Sequence, residues 1–241
     1  MRRFLRRVMP AIIAMTVVGC QSRTGLVTAD HPVPERAIRD AWFDAPIFVR
    51  DSPYVLSPYS VEVDYGQIRS ARMSESAAAA SITVWQAPRI RWNNIAFTHV
   101  ETGETHLLLD RRALITQFWY HDPKAEYSAK LPAVLIMGIV ERDTTRDGLI
   151  DSRDNATGYI SNISGKQMWR ITPENTDMLH FSFDPSGRWL IVCIRRDRNK
   201  DGKFNEDDGS EYLIVDPLQP DIGRPLVSED LREDARRIIT R

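Results

Sequence analysis

From residue 82 onward, apolar and polar positions alternate in short runs rich in Val, Ile, Phe, Tyr and Trp, separated by Gly, Asn, Asp and Pro. That period of two, broken by turn residues, predicts β-strands. The runs are Ile95–Val100, Thr105–Leu109, Ala133–Val140, Tyr159–Ile163, Met178–Phe183, Leu190–Ile194 and Tyr212–Val215. Residues 41–65 are aromatic and carry three prolines, which predicts short strands and turns. Residues 66–81, rich in Ser and Ala, predict a short helix or a small-residue loop. The last segment, 228–241, reads as a charged helix. Ser228 stands at the N-cap, Glu229 and Asp230 in the first turn, and arginines late, an order that suits the helix dipole.

The chain also repeats itself. A shift of 54 residues lays LIMGIVERDTTRDGLIDSRD on LIVCIRRDRNKDGKFNEDD, pairing Asp143 with Asp197, Asp147 with Asp201, Gly148 with Gly202 and Asp154 with Asp208. In each copy an apolar strand runs into an acidic loop and then into another strand. A third hairpin, AFTHVETGETHLLL, aligns with GYISNISGKQMWRIT when Gly103 is set on Gly165, and has no acidic loop before it. These repeats predict an all-β domain of blade-like antiparallel sheets, spanning residues 41–227, with a short C-terminal helix. A closed propeller needs about four to eight blades. The 222 residues from Cys20 onward, at 54 per repeat, leave room for about four, of which two are clear and one partial. A partial or small propeller, an open stack of sheets and a sandwich all stay open.

Residues 1–19 follow a different pattern. Arg2, Arg3, Arg6 and Arg7 precede an apolar stretch, Val8–Val18, that is too short for a bilayer-spanning helix and ends in Gly19-Cys20. A basic start, a short apolar run and a small residue at the end predict a secretory signal. The Val17-Val18-Gly19-Cys20 ending resembles the lipobox of bacterial lipoproteins. The resemblance implies cleavage before Cys20, diacylglycerol on its sulfur and acylation of the new amino group, with membrane attachment through the lipid. Gln21 and Ser22 follow where Asp would favour inner-membrane retention, so the family rule points to the outer membrane. Residues 20–40 read as the lipidated Cys and a polar tether.

Charge then narrows the functional classes. The 32 basic residues less the four leader arginines leave 28 against 33 acids, a net of −5. A mildly acidic body is a poor partner for nucleic acid, which is bound by neutralising phosphates, and suits cations better. With Cys20 lipidated, Cys193 has no disulfide partner. It sits in an apolar strand-like run as a small hydrophobe.

The two acidic loops carry the candidate chemistry. Asp143–Asp154 and Asp197–Asp208 are twelve residues each, with oxygen-bearing side chains at positions 1, 3, 5, 9 and 12, Gly at 6 and an apolar residue at 8. This is the EF-hand spacing for Ca²⁺: alternate residues on a tight curl turn hard oxygens inward, and Gly permits the bend. The expected ligands are Asp143, Thr145, Asp147, the Leu149 carbonyl, Asp151 and Asp154 in the first loop. In the second they are Asp197, Asn199, Asp201, the Lys203 carbonyl, Asn205 and Asp208. Thr145 is a neutral ligand and Asp stands at position 12 where Glu is usual, which lowers the expected affinity. Strands rather than helices flank both loops, so a structural role is expected rather than a sensing one.

His180-Phe181-Ser182-Phe183-Asp184-Pro185-Ser186-Gly187-Arg188-Trp189 followed by Leu190–Val192 resembles the repeat of TolB-type β-propellers, in which a strand ends in a Phe-Ser-Pro-Asp-Gly turn. The resemblance covers about residues 90–227 and implies blades with acidic Asp-Gly loops. No metalloprotease His spacing, nucleophile elbow, P-loop or dinucleotide fingerprint stands in a fitting context. Two classes are therefore expected. One is a lipid-anchored, Ca²⁺-stabilised binding or scaffold module that meets an envelope protein or ligand. The alternative is an envelope hydrolase or lyase with a propeller-like pocket and structural calcium. The second requires a convergent cluster of perturbed acids or histidines away from the loops.

Overall fold

Alternating side chains sort each strand into two faces, and the strands use those faces to build three antiparallel sheets in chain order. The computed structural model describes residues 38–63, 90–121 and 133–240. The leader, Cys20, most of the tether and residues 66–81 lie outside the described residues. The first sheet holds β1 (Ile38–Phe43), β3 (Tyr54–Val63), β4 (Asn94–His99) and β5 (Thr105–Leu107) in that order, with β2 (Ile47–Phe48) also paired to β3. The second is a meander of β6 (Leu114–His121), β7 (Val134–Val140), β8 (Ala156–Asn162) and β9 (Met168–Arg170). The third repeats it with β10 (Thr176–Phe183), β11 (Leu190–Arg196), β12 (Glu211–Val215) and β13 (Arg224–Pro225). The sheets do not close into a barrel, and α1 (Glu229–Ile239) follows them.

Three details mark the sheets as copies of one unit. Each first strand carries one extra residue in its ladder: at Arg39 in β1, Thr116 in β6 and Leu179 in β10. The turns after β4 and β8 place Gly103 and Gly165 at the same φ of +71°. The twelve-residue loops occupy the same place, between the second and third strands of the second and third sheets.

The middle sheet is the core. All seven residues of β7 are buried, because one face meets the first sheet and the other meets the third. Leu135, Met137 and Ile139 pack with Leu56, Ile95 and Phe97 of the first sheet. Val134, Ile136 and Val140 pack with Phe181, Val192 and Leu213 of the third. Two glycines opposite each other, Gly138 and Gly158, leave the space that the Met178 side chain fills. Next to them Gln117 donates from Nε2 to the carbonyls of Met178 and Leu179 at 3.1 and 3.2 Å, satisfying the bulge of β10.

Two expectations are revised. β1 begins at Ile38, inside the segment read as tether. Residues 54–63 form one ten-residue strand despite Pro58. Pro58 is tolerated because its missing N–H faces the break between β1 and β2. There its carbonyl still accepts from Asp44 N at 2.9 Å.

Candidate metal centre

Both acidic loops are held by the same bonds between the same positions. The position-1 carboxylate, Asp143 or Asp197, accepts backbone N–H groups of positions 5 and 6 at 3.2 and 2.7 Å in the first loop, and at 3.1 and 2.9 Å in the second. Position 5, Asp147 or Asp201, accepts from position 7 at 3.0 and 2.8 Å. Position 9, Asp151 or Asn205, accepts from position 11 at 2.8 Å in both. Position 12 closes the curl. One oxygen of Asp154 accepts from Thr144 N and Thr145 N at 2.7 and 2.9 Å, and the other from Asp151 N at 2.9 Å. Asp208 does the same with Arg198, Asn199 and Asn205 at 2.8, 3.4 and 3.1 Å.

The backbone follows from these bonds. Gly148 and Gly202 take φ of +86° and +77°, and the position-4 residues Arg146 and Lys200 take +59° and +61°. A left-handed residue costs an ordinary side chain energy, so two at one position in both loops show that the side-chain bonds dictate the path. Ile150 at position 8 drops into the core, and Phe204 stands there half-buried with its carbonyl accepting from Arg195 Nη1 at 3.3 Å.

The loops differ at position 11. In the first, Arg153 turns back, and its Nη2 lies 2.5 Å from Asp147 Oδ2 and 2.6 Å from Asp151 Oδ2. A cationic nitrogen therefore sits between the side chains at positions 5 and 9. Burial pushes the Asp151 carboxyl up, but the Arg153 hydrogen bonds outweigh it and hold it below its usual range. Position 11 of the second loop is Asp207, so that loop has no such internal cation. Burial also pushes Asp208 up. The N–H groups of Asn205, Arg198 and Asn199 together outweigh it and keep Asp208 ionised to lower pH than usual.

Each loop is tied down at its stem. Glu141 pairs with Arg111 and accepts from the Tyr159 hydroxyl at 2.9 Å. Glu211, buried, accepts from Arg196 Nε at 3.0 Å and Arg198 Nη2 at 2.8 Å, and Arg232 of α1 reaches it at 3.5 Å. Ser228 caps α1 as expected, accepting from Leu231 N at 3.4 Å.

The donors fit a hard cation. Every expected ligand offers oxygen, the chemistry Ca²⁺ takes, and Arg153 shows that the first loop holds positive charge between positions 5 and 9. Against this, both position-12 oxygens are spent on backbone N–H groups. Among the described residues no three His, Cys, Asp or Glu side chains stand in a metal-holding arrangement. The sequence spacing reveals neither the position-12 closure nor the Arg153 bridge. The only signal for the bridge was an arginine two residues after Asp151.

Away from the loops, β10 carries two perturbed groups. Burial lowers His180. Burial pushes the Asp177 carboxyl up to about 6, against the opposing pull of the Ala156 N–H and of Arg195. Its folded pKa exceeds its unfolded value, so its stabilisation is complete below about pH 4 and is lost as pH rises through about 6. At about 1.4 kcal/mol per pKa unit, the loss is at most about 3 kcal/mol. Thermal unfolding against pH should show wild type losing stability relative to Asp177→Asn between pH 4 and 7. Parallel curves would assign the pH dependence elsewhere. Among the described residues, one cleft is lined by Arg50, Tyr54 and Ser164 and another by Phe43, Ala96 and His106. Neither contains Asp177 or His180. His99 and His106 both pack edge-on against Tyr54. Cys193 is buried, and burial raises its thiol.

The chain matches no protein-family model, and no curated protein and no solved structure is significantly similar to it. Among the described residues, no helix is long and apolar enough to cross a membrane.

Proposed function

We propose that the protein is a lipid-anchored component of a bacterial cell envelope, held to the membrane through Cys20. In it two Ca²⁺ loops stiffen a blade-like β domain that acts as a binding or scaffold module. The observation that carries the calcium reading is the duplicated loop skeleton. Two loops with different filler residues share seven side-chain-to-backbone bonds at equivalent positions and two left-handed residues at positions 4 and 6. A plain hairpin turn needs two to five residues and none of this. Strands rather than a helix pair flank both loops, so the ions are structural in this reading: they neutralise clustered carboxylates at the ends of long strands. The outer-membrane location and an envelope protein or ligand as partner belong to the same reading, and rest on Gly19-Cys20-Gln21-Ser22. A hydrolase or lyase finds less support, because Asp177 and His180 do not share either cleft.

The loops are not equal in this reading. Arg153 competes for the first, so the second is the stronger site. The test is thermal unfolding of the full chain in mild detergent, with chelator, Ca²⁺ or Mg²⁺, together with metal analysis of the purified protein. At about 100 times Kd, Ca²⁺ adds about 2.7 kcal/mol per site. For a domain of this size that raises Tm by about 5–10 °C. Asp197→Ala should remove more of the rise than Asp143→Ala. No bound metal and no shift would overturn the calcium reading.

A further inference from the structure

The three sheets form a series with two open ends. Among the described residues, the middle sheet is covered on both faces, whereas the first and third are each covered on one. In repeat architectures a terminal unit exposed to water carries a polar outer face. The outer face of the first sheet carries polar groups only as small Ser and Thr side chains, and large apolar ones stand exposed beside them. Register places Phe43, Phe48, Ser57, Ala96, Thr98 and Leu107 on the face turned away from the core. No charged residue stands at any paired outward position of β1 to β5. Phe43, Phe48 and Leu107 are 60%, 74% and 57% exposed around a floor of small side chains. That floor is a shallow cleft lined by Ser57, Ala96, Thr98 and Thr105 between Phe43 and Leu107.

The outward face of the third sheet is also apolar at its middle. Ile191, Tyr212 and Ile214 stand there around buried Cys193, with Arg195 and Arg224 at the ends. His180 lies in the same row as Cys193 and Tyr212, and its Nδ1 is buried with no hydrogen-bond partner.

We propose that the occupant of both faces is a second copy of this chain. The first sheet of each copy packs on the third sheet of the other, giving a closed ring of six blades about a two-fold axis. Three observations carry this. The contact continues the face-to-face packing that already joins the first sheet to the second and the second to the third. The three blades of the described residues fall below the four to eight of a closed ring, and two copies make six. The area suffices: four strands about 4.8 Å apart and about six residues long present about 400 Å² per face. Two faces give about 800 Å² per partner, the size of a standard stable interface. The inference does not depend on the calcium reading.

The test is native mass spectrometry and sedimentation equilibrium of the full chain in mild detergent. Wild type is expected as a dimer. Ala96→Glu, on the first sheet's outer face, and Ile214→Glu, on the third's, are each expected to abolish it. Each single-variant pair breaks both contacts, but an equimolar mixture keeps one contact intact and should restore a mixed dimer. A dimer joined through like faces would instead lose its dimer to one variant only, and mixing would not rescue it. Circular dichroism checks that each variant is folded; Leu107→Glu and Tyr212→Glu replace either that is not. A monomeric wild type, sensitivity to one face alone, or no rescue on mixing would overturn the proposal.

Discussion

Phe97→Ala is expected to cost about 3–5 kcal/mol in chemical denaturation, the range for emptying a fully buried aromatic site. Phe97 has no exposure and joins the first two sheets. Its ring stacks on His106 with centroids 5.3 Å apart, and His106 Nε2 lies 2.8 Å from the carbonyl of Ser164 in the β8–β9 turn. Gly165 of that turn rests on the ring: a Cβ there would stand 2.7 Å from Phe97 Cζ. Gly165 also holds φ at +71°, so Gly165→Ala adds backbone strain to the clash. The two substitutions should be non-additive, since removing the ring relieves the clash and leaves only the strain. A cost below about 1 kcal/mol for Phe97→Ala would mean that the first sheet is not coupled to the second. Additivity of the pair would remove the claim that the turn packs on the ring.

Asp154→Ala in the presence of chelator should cost about 2–4 kcal/mol, from leaving three loop N–H groups without their charged acceptor. Those groups are on Thr144, Thr145 and Asp151, and the carboxylate that holds them is 5% exposed. Asp154→Asn keeps an acceptor for Thr144 and Thr145 and loses the one for Asp151, so it should cost about half as much. The chelator removes any cation from the comparison, so this measurement reports on the loop skeleton alone. The Asp143→Ala series with Ca²⁺ reports on the ion. An unchanged denaturation midpoint for Asp154→Ala would show that the position-12 bonds do not hold the loop in solution.

Local rules made part of this molecule legible in the chain. Leu190–Ile194 and Ala133–Val140 read as strands because β-branched runs end in turn residues, and β11 and β7 lie there. The 54-residue repeat was visible because two loops need identical oxygen positions to close. Ser228 read as a cap because its hydroxyl serves a neighbour three residues on. β6 was not read, since Phe118-Trp119-Tyr120 shows no alternation. The strand is apolar on both faces because both are covered: Phe118 faces the first sheet and Trp119 packs against the third. Pro58 hid β3 because its tolerance depends on where β1 ends.

The candidate site divides the same way. Which residues supply oxygen at positions 1, 3, 5, 9 and 12 is a matter of spacing along twelve residues, and the sequence alone determined it. Tertiary structure decided what those oxygens do. Asp154 and Asp208 are turned inward onto backbone N–H groups, and Arg153 folds back between Asp147 and Asp151. Spacing reports which groups are near one another along the chain. Burial decides which of them must find a partner within the protein, and that depends on which sheet lies opposite. For the same reason the pattern of alternation predicted blades, but only the packing of one sheet on the next showed that the middle sheet is covered on both faces.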